Sequence, residues 1–205
     1  MTINLPDRNW SLIKKGDHQA FKELYYQHYP MLYRYALRII RDPVLADQSI
    51  QDLFVCIWET RAHLADVTSP KAYLLTSLRR RLLAAKPESN IVPLISSKPV
   101  SAFEYSALDI RIEQEDAQLR HDLLTEALNQ LPVRQREAIY LKFYEELSYD
   151  EVAKVMGVKY QSAVNFVYRG LVSLKEDTHL QKLSPFRIVH AKYLLPLAGL
   201  LTLIY

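Results

Sequence analysis

The sequence predicts an all-α protein: two small helical domains joined by a flexible linker, the second built around a helix-turn-helix. Three observations predict it. Apolar residues recur at three- and four-residue intervals over most of the chain, the spacing of one buried helix face. Asp-Pro, Ser-Pro and Leu-Pro pairs and one capping box mark helix starts. Glycine is scarce, 4 residues against 14 tyrosines in a chain of 205, which argues against glycine-loop enzymes and sheet-rich folds.

Composition sets outer limits. A hydrophobic share of 49% suffices for packed cores, and 24% charged residues suit a soluble surface. The net charge of +3, from 26 basic and 23 acidic residues, is too small to identify a nucleic-acid partner, so the placement of charge decides. Cys56 is the sole cysteine, which excludes an internal disulfide and a cysteine-based zinc site and suits a reducing cytoplasm. The start, MTINLPDRNWSLIKKGD, has no apolar run behind a basic beginning, so no signal peptide is expected.

In chain order, residues 17 to 41 carry Phe21, Leu24, Tyr25, His28, Leu32, Ala36 and Ile39 on one stripe. Pro30 is expected to separate two helices or to open the second. His28 reads as a packing histidine, since no second ligand is spaced with it. Asp42-Pro43 then supplies an N-cap and a first-turn proline. The helix VLADQSIQDLFVCIWETR buries Ala46, Ile50, Leu53, Phe54, Ile57 and Trp58. Its other face displays Gln48, Gln51, Asp52, Val55, Cys56 and Glu59, and apolar residues among polar ones there point to a surface covered by a partner.

Ser69-Pro70 repeats the start signal. The helix KAYLLTSLRRRLLAAK is apolar through Tyr73, Leu74, Leu78 and Leu82. Lys71, Arg79, Arg80, Arg81 and Lys86 make it strongly basic with no acid to neutralise it, which fits contact with a phosphate backbone. From Lys86 the composition changes: prolines, serines and no sustained period mark residues 87–107 as a linker. Helical spacing returns at about Leu108, and Leu131-Pro132 breaks the chain before VRQREAIYLKFYEEL.

Residues 147 to 175 hold the helix-turn-helix signature. Ser148 and Glu151 stand at capping-box spacing, and Gly157 offers a left-handed stop. A second helix then opens near Lys159 or Tyr160. Ala163, Val167, Gly170, Leu171 and Leu174 form its apolar stripe, opposite Gln161, Ser162, Asn165, Tyr168 and Arg169. In such a motif the second helix enters the major groove and its first residues meet base edges. The chain thus divides into residues 1–86, 87–107 and 108–180, followed by a tail at 181–205. In that tail residues 193–205 carry no charge, too few to span a bilayer. Packing against the second domain or against a partner is favoured there over contact with a membrane surface.

No nucleotide loop, metal cluster or nucleophile–base spacing argues for an enzyme, and the Cys56–His63 and His18–His28 spacings fit no ligand scheme. No cofactor, metal or small-molecule substrate is expected.

Taken together, the two helical blocks resemble the bacterial RNA polymerase sigma factors of the sigma-70 family, extracytoplasmic-function (ECF) type. The stretch DHQAFKELYYQHYPMLYRYALRIIRDPVLADQSIQDLFVCIW is similar to the start of that family's first domain, with its Q-[ED]-x-F-x-x-x-W core at Gln51, Asp52, Phe54 and Trp58. LNQLPVRQREAIYLKFYEELSYDEVAKVMGV is similar to the entry to its second, and VYRGL at Val167 to Leu171 resembles members common in Bacteroidetes.

The resemblance implies a region 2-like domain that docks core RNA polymerase through Gln48, Gln51, Asp52, Val55 and Glu59. That domain would engage the −10 element of promoter DNA through Lys71, Arg79, Arg80, Arg81 and Lys86. It implies a region 4-like domain reading the −35 element through Lys159, Tyr160, Gln161, Ser162, Asn165 and Arg169. The linker would thread near the polymerase active-site channel, an anti-sigma factor would be a partner, and the membrane would be reached only through such a partner.

Three departures bear on this scheme. Gln48 stands where the family usually has an acid, and Arg80 where it commonly has asparagine. Val164 and Phe166 stand where cations are often found in the recognition helix. These lean towards one alternative, a degenerate sigma-like adaptor that does not itself initiate transcription; the other, a helix-turn-helix regulator that never meets polymerase, would need no partner-covered face around Asp52.

Overall fold

The computed structural model describes residues 8–85, 103 and 117–176. The expected linker at 87–107, apart from Phe103, the expected tail at 181–205, and Lys86 lie outside the described residues. The chain divides into two compact units, Met1–Lys98 with Lys154–Gly157 and Pro99–Ala153 with Val158–Tyr205. Every regular element among the described residues is helical.

In the first unit, α1 (Arg8–Lys14), α2 (His18–Ile40), α3 (Pro43–Thr60), a 3-10 turn (Arg61–His63) and α4 (Pro70–Ala85) follow one another. Local chemistry sets the starts. Asp17 Oδ1 accepts from the amides of Gln19 and Ala20 at 2.9 and 3.0 Å, and Asp42 Oδ1 does the same for Val44 and Leu45. Each cap satisfies amides that have no intrahelical acceptor and sets an acid at the positive end of the helix dipole. Ser69 Oγ accepts more weakly, at 3.3 Å, from the Ala72 amide.

Helices α2, α3 and α4 each pack on the other two. Their seam holds Leu32, Tyr35 and Ile39 from α2, Ile50, Leu53 and Ile57 from α3, and Leu74, Leu75, Leu78 and Leu82 from α4, all buried. Each such side chain contributes about 1.5–3 kcal/mol through burial.

Two features depart from the sequence expectation. Pro30 neither divides nor opens a helix; it lies inside the continuous 23-residue α2. Its ring is exposed, and the hydrogen bond it deletes falls on the solvent side, so packing through Met31, Leu32 and Tyr35 keeps the helix whole. The second departure is α1, which no periodicity announced. Trp10 and Ile13 are fully buried, the Trp10 indole donates to the Ala65 carbonyl at 2.9 Å, and its ring meets Tyr73 edge-on at 5.0 Å.

The second unit contains α5 (Ala117–Gln130), α6 (Val133–Ile139), a π-helical turn (Tyr140–Tyr144), the part of α7 (Tyr149–Met156) that precedes Lys154, and α8 (Tyr160–Glu176). The bend before α6 is held by Arg136, whose guanidinium donates twice to the Leu131 carbonyl, at 2.8 and 3.2 Å. Inside the unit, the Tyr140 hydroxyl donates to Glu145 at 2.7 Å, and Phe103 lies edge-on to the Tyr140 ring. The capping box forms as read: Ser148 N–H donates to the Glu151 carboxylate at 2.8 Å, and Glu151 N–H to Ser148 Oγ at 3.3 Å. Gly157 ends α7 at φ +65°, a conformation that strains any residue with a Cβ.

Helices α6 and α8 pack closely at Gly170. A Cβ there would stand 2.6 Å from Ile139 Cδ1 and 3.4 Å from Gln135 Cβ. Alanine gains about 1 kcal/mol of helix propensity over glycine, whereas overpacking costs about 1–3 kcal/mol. The clash wins, so Gly170→Ala is expected to destabilise the unit by on the order of 1 kcal/mol. Ile139→Val, which deletes Cδ1, should cost less in the Gly170→Ala chain than in the parent. Urea unfolding of the four chains measures this, and strict additivity would remove the close approach as the cause.

Candidate docking and nucleic-acid interfaces

Gln48, Gln51, Asp52, Val55 and Glu59 all lie exposed along one side of α3, opposite its buried Ala46, Ile50, Leu53, Phe54 and Ile57. Three of the five, Gln51, Val55 and Glu59, border a groove of about 420 Å³ that is also lined by Phe21 and Tyr25 of α2 and by Phe54 and Trp58. Gln48 and Asp52 stand outside this groove. Aromatic contacts shape its wall: Tyr25 packs on Phe54 at 4.9 Å, Phe21 on Trp58 at 4.9 Å, and Arg61 caps the Trp58 ring at 4.4 Å. An exposed Val55 at 54% beside such a groove is what a partner-covered surface presents.

Sequence reasoning missed the α2 side of this surface. Tyr25, Tyr29 and Tyr33 recur at four-residue steps, so their rings line up along α2 at 5.3 and 5.9 Å. The Tyr29 hydroxyl donates to Asp47 Oδ1 at 2.7 Å, and the Gln51 amide donates to Asp47 Oδ2 at 2.7 Å. The hydrogen bond to Asp47, with burial second, pushes the Tyr29 phenol up to about 12, so it remains a donor throughout the neutral range. Burial, with Asp47 second, also raises Tyr25.

The basic helix α4 sorts its cations. Arg80 is exposed and Lys71 and Arg81 are half-buried, whereas Arg79 is only 4% exposed. The expectation that α4 displays all its basic side chains fails at Arg79. Ala72, Leu75 and Leu83 are buried along with Leu74, Leu78 and Leu82, so the apolar stripe is wide enough to take in position 79. Arg80 and Arg81 are therefore the arginines of this helix that reach solvent.

In the helix-turn-helix, Ala163, Val167, Gly170 and Leu174 are buried and Leu171 is half-buried. Lys159, Tyr160, Gln161, Asn165 and Arg169 are exposed and Ser162 is half-buried, so the expected recognition residues share the outward side of α8. Gln161 Nε2 donates to Asn165 Oδ1 at 3.2 Å, which aligns the two amides one turn apart. Phe166 is half-buried with Arg134 of α6 above its ring at 5.9 Å. Tyr149, raised by burial and by Tyr160, stands edge-on to Tyr160 and beneath Lys142. Among the described residues, no three His, Cys, Asp or Glu side chains gather as metal ligands do, and no helix is long and apolar enough to cross a membrane.

Comparison with known proteins bears on both units. Residues 24–86 match Sigma-70 region 2, and residues 121–174 match Sigma-70, region 4, together more than half of the chain. The chain belongs to the sigma-70 family. Among its relatives, the RNA polymerase sigma factor CarQ of Myxococcus xanthus is 27% identical over 80% of this chain and 91% of its own. The ECF RNA polymerase sigma factor SigK of Mycolicibacterium vanbaalenii is 26% identical over 80% and 84%.

Two solved structures share the fold. CnrH, in complex with the cytosolic domain of CnrY, has a TM-score of 0.55 at 18% identity, covering 82% of this chain and 92% of that one. The sigma factor RpoE of Bartonella quintana, in complex with the anti-sigma factor NepR, has a TM-score of 0.52 at 22% identity, covering 80% and 98%. This sigma-70 member carries both regions in the order its sequence suggested.

Proposed function

We infer that this sigma-70 family member is a promoter-specificity subunit of the ECF type. It binds core RNA polymerase, directs initiation by recognising −10 and −35 elements, and has no catalytic activity of its own. The observation that carries the reading is the pairing, in one chain, of a region 2 unit that exposes Gln48, Gln51, Asp52, Val55 and Glu59 and a region 4 unit that exposes Lys159, Tyr160, Gln161, Asn165 and Arg169. Region 2 docks polymerase through Gln48, Gln51, Asp52, Val55 and Glu59 of α3. Arg80 and Arg81, with Lys71 and Lys86, meet backbone phosphates near the −10 element. Region 4 presents Gln161, Ser162 and Asn165 to −35 base edges, with Lys159, Tyr160 and Arg169 on the flanking backbone. Complexes of CnrH with CnrY and of RpoE with NepR support an anti-sigma partner for this chain as well. Its place of action is the cytoplasm, and VYRGL supports a Bacteroidetes-like origin.

Reconstitution with core polymerase and sequencing of the promoters it selects tests the reading; absence of initiation on every promoter overturns it. In that case a sigma-like adaptor, which the cation-poor recognition helix favours, takes its place. A regulator acting without polymerase would bind DNA but not core enzyme.

Side-chain amides of Gln and Asn read base edges, each good pair giving about 1–3 kcal/mol of discrimination. Asn165→Ala should therefore reduce the preference for the selected −35 sequence over a scrambled one by about 5- to 150-fold. Arg169→Ala should instead weaken both about equally and lower the salt slope by about 1. Fluorescence anisotropy at several salt concentrations separates the two effects.

A further inference from the structure

We propose that Asp47 is a positioning residue of the docking face: its two carboxylate oxygens tie Tyr29 of α2 and Gln51 of α3 into one fixed surface. This rests on the reading of α3 as the polymerase-docking helix. Oδ1 accepts from the Tyr29 hydroxyl and Oδ2 from the Gln51 amide, both at 2.7 Å. A free glutamine at an exposed helix position samples many rotamers, and ordering it on binding carries an entropic cost of about 0.5–1.5 kcal/mol per rotamer-rich side chain. The bond to Asp47 orders it beforehand. It also commits one N–H of the Gln51 amide to Asp47, leaving the carbonyl oxygen and the second N–H for a partner.

The same carboxylate assigns a role to the tyrosine. Tyr29 stacks on Tyr33 and adjoins Tyr25, and Tyr25 lines the apolar groove beside Gln51 and Val55. Fixing the Tyr29 hydroxyl therefore holds the tyrosine row of α2 in register with α3, and the docking face spans both helices. Gln48, the neighbouring residue, lacks the family's charge, so Asp47 is the acid at this end of the surface. Its carboxylate serves the chain's own donors first.

A double-mutant cycle tests this. Core-polymerase affinity and thermal unfolding are measured for the full-length parent, Asp47→Ala, Gln51→Ala and the double variant, with Asp52→Arg as reference. Asp47→Ala is expected to weaken core binding by about tenfold, the usual effect of losing hydrogen bonds to a charged group. In the Gln51→Ala chain the same change should weaken it by no more than about threefold, because Asp47 then holds Tyr29 alone.

A merely structural acid would lower the unfolding temperature while leaving affinity additive, and that additivity overturns the proposal. So would an Asp47→Ala chain that binds core like the parent while Gln51→Ala and Asp52→Arg do not. If Gln51→Ala and Asp52→Arg both bind like the parent, the docking reading itself fails and takes this inference with it.

Discussion

Asp52→Arg is expected to lower the affinity for core RNA polymerase by about a hundredfold or more while leaving the fold intact. The side chain is exposed, next to Gln51, one helical turn from Val55 and two from Glu59, so nothing internal depends on it. Surface changes of this kind usually alter stability by no more than about 0.5 kcal/mol. Binding is another matter. A partner surface complementary to an acid becomes repulsive to a guanidinium, and a unit-charge pair at about 4 Å is worth about 4 kcal/mol near a protein surface.

Like-charge juxtaposition in an interface costs several kcal/mol, and a hundredfold loss needs only about 2.7. Glu126→Arg makes the same charge change on an exposed residue of the second unit and serves as the control for long-range attraction. If both variants bind core alike, α3 is not the docking element. Affinity measured at low and high salt adds a second check, since a contact-driven loss persists where a screened one fades.

The residues that could be placed from sequence are those whose role is set by local chemistry. Asp42, Pro43, Ser148, Glu151 and Gly157 act within a turn of themselves, so one-dimensional spacing was enough to find them. The exposed side of α3 and the outward side of α8 followed equally directly, because a helix with one buried stripe has its opposite side determined. What escaped depends on a second element. Tyr25 and Tyr29 fall on the same stripe as core residues of α2, and only the packing of α3 alongside shows that they border a groove. Asp47 reads as an ordinary second-turn acid until Tyr29 and Gln51 are seen to converge on it from two helices.

Arg79 misled for a related reason. Counting Leu74, Leu78 and Leu82 describes a narrow apolar stripe, which leaves position 79 outside. Packing on both α2 and α3 widens the buried side to include Ala72, Leu75 and Leu83, and the arginine between them is drawn inward. Pro30 shows the reverse case: the intrinsic rule against an internal proline is correct in sign, and the tertiary packing of its neighbours overrides it. At Phe166 the loss of a cation is a packing event, since the ring lies under Arg134 and is not turned outward like Asn165.

Trp10→Ala should destabilise the first unit by about 3–5 kcal/mol, the usual cost of truncating a fully buried tryptophan. The seven-residue α1 is too short to be stable by itself, and most of its hold on the unit comes from two side chains, Trp10 and Ile13. Trp10 joins three parts: its own helix, the segment after the 3-10 turn through Ala65, and α4 through Tyr73. The ion pair of Lys14 with Asp66 spans the same gap, but Asp66 is largely exposed and contributes little. At roughly 4–8 °C per kcal/mol for a domain of this size, the unit's unfolding midpoint should fall by more than about 10 °C.

Trp10→Phe keeps most of the packing and loses the bond to Ala65, so a shift of about 1–2 kcal/mol is expected. The transition can be followed by fluorescence of Trp58, the remaining tryptophan, which sits in the same unit. A near-parental midpoint for Trp10→Ala would mean that α1 is dispensable and that α2, α3 and α4 form a sufficient core. If the large loss is found, the placement of Arg80 and Arg81 depends on an N-terminal anchor, because α4 is one of the surfaces Trp10 holds. Weaker −10 engagement should then accompany the lost stability even though Trp10 never meets DNA.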